Sequence, residues 1–110
     1  MDKVYAKKQF LDHKQLFKDL KLGKNVTNIL NSCSDTELDL ILKVLHLIGD
    51  SQIHVLRKHE QALKRKEKKL AELGSRTYFR ALMKTNRQNK LKVVKQFLSV
   101  LPFLAESLFF

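Results

Sequence analysis

Residues 38–48 leave the chain little choice of architecture. Eight of these eleven positions are Leu, Ile or Val, and the three that are not (Asp39, Lys43, His46) fall at i, i+4 and i+7. On a helix that spacing is one narrow polar stripe, with apolar surface everywhere else. Such a helix belongs in the middle of a bundle or beneath an oligomer interface. Its start is marked by Ser34-Asp35-Thr36-Glu37, a Ser-x-x-Glu capping box before an apolar run, so the helix is predicted over about 35–48.

The rest of the chain supplies candidates to surround it. A first amphipathic helix is expected over 3–20, with Tyr5, Phe10, Phe17 and Leu20 on a loose apolar face and Gly23 closing it. A short helix with Val26, Ile29, Leu30 and Cys33 on one face comes next. After the turn Gly49-Asp50-Ser51, a fourth helix over 55–73 carries Leu56, His59, Leu63, Leu70 and Leu73 as a thin seam. Gly74 ends it and Ser75 caps the following helix, which turns Phe79, Leu82 and Met83 inward. The stretch 85–89 is the weakest for helix and reads as a joint. A last helix from about Lys90 presents Leu91, Val94, Phe97, Leu98 and Leu101 until Pro102 stops or bends it. The fold class is therefore all-α: a bundle of about five to six helices with a basic flank and an apolar C-terminal tail. Its parts are an N-terminal helix within 1–22, the bundle over 23–101 with basic helices in 55–95, and a tail over 102–110.

Charge divides the chain sharply. Residues 51–95 hold 14 Lys and Arg against Glu60, Glu67 and Glu72, which accounts for the whole net charge of +11; the other 65 residues balance to zero. No carboxylate occurs between Glu72 and Glu106. A neutral part joined to a strongly cationic one is suited to a polyanion, and nucleic acid is the first expectation. The candidate binding residues are Arg57, Lys58, Lys64, Arg65, Lys68, Lys69, Arg76, Arg80, Lys84, Arg87, Lys90, Lys92 and Lys95. Among them Arg76, Arg80, Lys84 and Arg87 fall at i, i+4, i+8 and i+11 and are predicted to form one stripe. The plainer alternative is a solvated helix face, with Glu60–Lys64 an ordinary i, i+4 pair. Zinc-finger spacing, a leucine-zipper heptad and RNP-type aromatics are absent, so base-specific recognition is not expected. Tyr78 and Phe79 lie within the basic segment and are read as core rather than as base-stacking residues.

Chemistry of other kinds finds no pattern to rest on. His13, His46, His54 and His59 do not pair at i, i+4, and Cys33 has no second cysteine in the chain. Neither a metal site nor a cofactor is expected. Without a phosphate loop, nucleophile elbow or paired carboxylates on a polar face, the chain is read as non-enzymatic. His46 is read as a hydrogen-bonded structural histidine. The lone cysteine fits a reducing compartment. No signal peptide is readable, and no apolar run reaches the ~20 residues a spanning helix needs.

The tail is the second anomaly. Four of the seven Phe fall at Phe97, Phe103, Phe109 and Phe110. Three fates are open to it: packing back on the bundle, docking a partner protein, or inserting at a membrane surface. Docking is favoured, through Phe97, Leu101, Phe103, Leu104, Leu108, Phe109 and Phe110, because a bend at Pro102 would let the tail leave the body.

The order of parts resembles one family. A short helix ends in Asn31-Ser32-Cys33-Ser34-Asp35, an apolar helix runs from Glu37-Leu38 to Leu47-Ile48, and Gly49-Asp50 turns the chain. A Lys/Arg helix with Leu56-Arg57-Lys58 and Leu63 follows, then an apolar Leu101-Pro102-Phe103-Leu104-Ala105 end. Over about 22–110 this is similar to the small basic, adenovirus-core-like minor virion proteins of Polinton/Maverick elements and adintoviruses. Relatives carry a Gly-Gly-Phe protease-like site before the tail, where this chain has Lys95-Gln96-Phe97. The resemblance implies a protein that accompanies or condenses double-stranded DNA and contacts capsid or another virion protein through its tail. Residence in the virion and in the host nucleus or cytoplasm would follow. A second function class remains open: a helical interaction module that self-associates through the 38–48 helix, its charge serving solubility or an acidic protein.

Overall fold

Ser34 starts the central helix as the capping box requires. In the computed structural model, which describes Lys8, residues 11–51 and residues 54–108, its Oγ accepts from Glu37 N–H at 3.1 Å. Glu37 Oε1 in return accepts from Ser34 N–H at 2.9 Å. The helix so begun, Asp35–Gly49, follows two shorter ones, α1 (Lys14–Leu22) and α2 (Val26–Ser32), and is α3. Next comes a segmented stretch: a 3-10 turn Arg57–His59, α4 (Glu60–Leu63), a second 3-10 turn Lys64–Lys66, and α5 (Glu67–Gly74). The chain continues with α6 (Arg76–Met83), α7 (Arg87–Lys95) and α8 (Leu101–Leu108). No strand occurs among the described residues, and the protein is all-α.

Leu38, Leu40, Ile41, Leu42, Val44, Leu45 and Leu47 of α3 are each at most 3% exposed. The chain's own helices cover them: Leu16, Phe17 and Leu20 from α1, Leu30 from α2, Leu70 and Leu73 from α5, Leu82 from α6, Val94 from α7, and Leu101 and Leu104 from α8 belong to one core. Fully burying each large apolar side chain contributes about 1.5–3 kcal/mol, so this shell is the main stabilising term. No second copy is needed to bury α3. The polar stripe on α3 is also used inside the bundle. Asp39 Oδ1 meets Lys90 Nζ of α7 at 2.9 Å, and His46 Nδ1–H donates to Leu73 O of α5 at 2.8 Å. Phe79 of α6 stacks on the buried His46 ring with centroids 4.2 Å apart.

Two glycines read as terminators do more than terminate. At the crossing of α3 and α5, a Cβ on Gly49 would fall on Leu70 O, and a Cβ on Gly74 would fall on the Gly49 carbonyl. The two backbones touch, and only a residue without a side chain fits at either position. Gly23 does act as a terminator: it takes the left-handed conformation at φ 71° and its N–H bonds Leu20 O.

Several expected boundaries move. The predicted helix over 3–20 is seen only in its second half, since Tyr5 and Phe10 lie outside the described residues. The fourth helix is not continuous over 55–73. Like charges at i, i+4 (Lys64/Lys68, Arg65/Lys69) weaken a regular helix there, and 3-10 turns interrupt it. The final helix starts at Arg87 rather than Lys90, because Asn86 caps it by accepting from Asn89 N–H at 2.9 Å. It ends at Lys95 rather than at Pro102. Pro102 instead sits in the first turn of α8, where a missing N–H costs nothing. The division into a bundle and a separate tail is thereby corrected: α8 packs along α1, and Leu104 and Ala105 are as buried as the centre of α3.

Candidate nucleic-acid interface

The basic segment is built on an apolar seam. Leu63, Leu70 and Leu73 anchor α4 and α5 to the core, and the residues between them, apart from the half-buried Lys66, are turned out to solvent. Ser75 Oγ then accepts from Tyr78 N–H at 3.5 Å and starts α6, whose Leu82 is buried and whose Phe79 and Met83 pack against the core. With those residues inward, Arg76, Arg80 and Lys84 stay outside.

The thirteen candidate cations separate into two groups. Arg57, Lys64, Arg65, Lys68, Lys69, Arg76, Arg80, Lys84, Lys92 and Lys95 are exposed, and none is ion-paired among the described residues. Glu60 and Lys64 in particular form no ion pair. The other three cations are engaged. Lys58 Nζ lies 2.6 Å from Glu106 Oε1. Lys90 is 13% exposed in its side chain and holds Asp39. Arg87 Nη1 donates to Asp35 Oδ1 at 2.7 Å, while its Nη2 donates to Cys33 O at 2.5 Å and to Asn31 O at 3.4 Å. A guanidinium on these carbonyls satisfies acceptors that the end of α2 leaves without intrahelical partners. The predicted four-residue stripe is thus corrected to Arg76, Arg80 and Lys84. The helix breaks after Met83, and Arg87 opens α7 facing α2 and the start of α3.

The described part of the tail is placed in the bundle. Phe97, Leu101 and Leu104 are at most 3% exposed and belong to the core. Phe103 stacks on His59 with ring centroids 4.7 Å apart. Leu108 ends α8, and Phe109 and Phe110 lie outside the described residues. A docking hook made of Phe97, Leu101, Phe103 and Leu104 is therefore corrected: the amphipathic helix that Pro102 opens is covered by α1 and α3.

A cluster that sequence reasoning missed joins this helix to the start of the basic segment. Glu106 bridges Lys58 Nζ and His59 Nε2, the latter at 2.7 Å from Oε2. Ser107 Oγ accepts from Leu56 N–H at 3.1 Å and donates to Phe103 O at 3.1 Å. The hydrogen bond from Lys58, then that from His59, holds the Glu106 carboxyl below its usual range. The partners stand 47 to 51 residues apart in sequence. The one local signal was that Glu106 is the sole charge in an otherwise apolar end.

Tyr78 and Phe79 face the core as expected, and the large apolar side chains exposed among the described residues are Leu11 and Leu22. Burial pushes the Cys33 thiol up, partly offset by Arg87. Among the described residues no three His, Cys, Asp or Glu gather where a metal could be held, and no helix is long and apolar enough to cross a membrane. Comparison of the chain with protein-family models, with curated proteins and with solved structures finds no match.

Proposed function

We propose that this is a non-enzymatic protein that binds nucleic acid through the phosphate backbone, independently of sequence. The supporting observation is the division among the cations: ten are exposed, free of ion pairs among the described residues and concentrated in one region of the chain, on a body whose core is closed without them. A cation needed for folding finds a carboxylate, as Lys90 does with Asp39. A repelling set such as Lys64, Arg65, Lys68 and Lys69 opposes regular helix, and neutralising phosphates with release of counterions offsets that cost. The longest extent of the molecule is 33 Å. Over that length a duplex carries about 19 phosphate charges at one per ~1.7 Å, more than enough to meet ten cations. Duplex DNA in a virion core is the substrate and setting that the resemblance to minor virion proteins implies, and we adopt it as the working target.

Titration of a short duplex at several salt concentrations tests the proposal. With 6–10 phosphates engaged, affinity falls by roughly 10³–10⁵ between 50 and 200 mM salt, alike for unrelated sequences. Absent binding, or binding indifferent to salt, overturns it.

A further inference from the structure

The contact between α8 and the start of the basic segment has the chemistry of an occupied anion site. Three donors of different kinds converge there from 56–59: the Leu56 N–H, the Lys58 ammonium and the His59 ring nitrogen. Their acceptors are the Ser107 hydroxyl and the two oxygens of the Glu106 carboxylate, with lengths of 2.6 and 2.7 Å to the latter. A backbone amide, an ammonium and an imidazole are also a donor set that suits a phosphate, and Glu106 places two anionic oxygens on two of its members. The position matters as well. Lys58 adjoins the exposed Arg57 at the head of the cationic run, so a nucleic-acid backbone lying along that run passes beside the site. Lys58 itself is 62% exposed in its side chain and open to a competing anion, whereas His59 is covered by Phe103.

We infer that Glu106 is an internal competitor for phosphate, and that α8 is an autoinhibitory element of the basic surface. A backbone phosphate that takes Lys58 leaves Glu106 with His59 as its one partner and removes one of the ties between the last turn of α8 and 56–59. Tight packing of that turn and full use of the cationic run thus oppose each other. By linkage the antagonism is reciprocal: whatever unseats the end of α8 strengthens nucleic-acid binding, and bound nucleic acid weakens the hold on α8. The inference rests on the nucleic-acid reading proposed above.

Double-mutant analysis on the full chain tests it, with duplex affinity read against salt. Freeing Lys58 adds a phosphate contact, so Glu106→Gln steepens the slope of log K against log salt by about 0.9 and loses about threefold more affinity than the parent between 50 and 200 mM. Lys58→Ala abolishes that gain in the Glu106→Gln background, yet in the parent costs less than Lys68→Ala. Amide exchange in 104–108 quickens when duplex is added to the parent. Glu60→Gln, which adds the same charge without freeing a paired cation, is the control. The inference is overturned if Glu60→Gln steepens the slope as much as Glu106→Gln, or if the gain survives Lys58→Ala. Should Glu106→Gln not fold, the comparison of Lys58→Ala with Lys68→Ala decides alone, and equal losses overturn the inference. If no form binds duplex, the proposed function fails instead, which separates the two outcomes.

Discussion

Lys90 of α7 and Lys84, just past the end of α6, are six residues apart and equally charged, yet they stand in opposite relations to the core. Lys90 reaches across α3 to Asp39 and is nearly covered, while Lys84 points into solvent with no ion-pair partner among the described residues. The difference extends to their helices. α7 is fastened partly by charge, through Lys90–Asp39 and Arg87–Asp35. The segment α5–α6 is fastened by apolar side chains, by the backbone contact at Gly49 and Gly74, and by His46 between Leu73 O and Phe79. A helix held without its cations leaves all of them available. A helix that uses them as fasteners does not. Charge counted along the sequence overstates the usable surface for that reason.

Replacing Lys68, Arg76, Arg80 and Lys84 together by Gln is the strongest challenge to this contrast. If all four meet phosphates, the slope of log K against log salt becomes shallower by about 3.6, at ~0.9 per contact. The melting temperature should stay unchanged or rise, since four like charges with no ion-pair partner among the described residues are removed. A large loss of thermal stability would mean that these residues hold the fold, and the contrast would collapse.

Gly74→Ala attacks the fastening instead of the surface. The added methyl collides with backbone that a rotamer change cannot move, and overpacking of this kind costs about 1–3 kcal/mol. For a chain of this size that lowers the melting temperature by several degrees, roughly 4–8 °C per kcal/mol. The salt slope of duplex binding measured well below the transition should not change.

Lys90→Ala separates the helices from the other side. It leaves Asp39, whose side chain is 34% exposed, without its cation beside the core. A cost of roughly 1–2 kcal/mol is expected, toward the lower end for an orphaned polar group because water still reaches the carboxylate. Calorimetry should show the loss, and the duplex-binding slope should match the parent within one contact. A change as large as that from Lys84→Ala would return Lys90 to the binding surface.

The smallest expected effect is on pH dependence at α8. Glu106 is held below its ordinary range, so its bonds to Lys58 and His59 contribute stability that is fully present above the usual Glu value of about 4.3. That contribution fades as pH falls through the lower folded-state value. The difference in melting temperature between the parent and Glu106→Gln should therefore narrow on acidification below about pH 4. A gap that widens there would contradict the assigned pairing.

How much of this was legible beforehand differs from element to element. The capping box at Ser34 and the burial of 38–48 were readable because both depend on residues within a turn or two of one another. The facing of Leu63, Leu70 and Leu73, and of Leu82, followed from periodicity in the same way. The start of α7 is misplaced by sequence although its signal is local, because 85–89 as a whole reads as a joint when the Asn86 side chain within it begins a helix. Pro102 was misread in a similar manner: the same ring that forbids a helix interior is welcome in a first turn, and only the chain before it tells the two apart.

The sequence by itself determined that the protein is all-α, that 38–48 lies at its centre, and that the net charge is confined to 51–95. Those are properties of neighbours and of composition, and they hold for any arrangement of the helices. Which cations are free was decided only by the tertiary structure, because Arg87, Lys90 and Lys58 find Asp35, Asp39 and Glu106 across 48 to 52 residues of chain. The role of Gly49 and Gly74 was decided there too, since a backbone contact between two helices has no local pattern. Burial of Leu101, Leu104 and Ala105 also waited on the fold. An apolar end needs an apolar surface to cover it, and that surface exists only once α1 and α3 have come together.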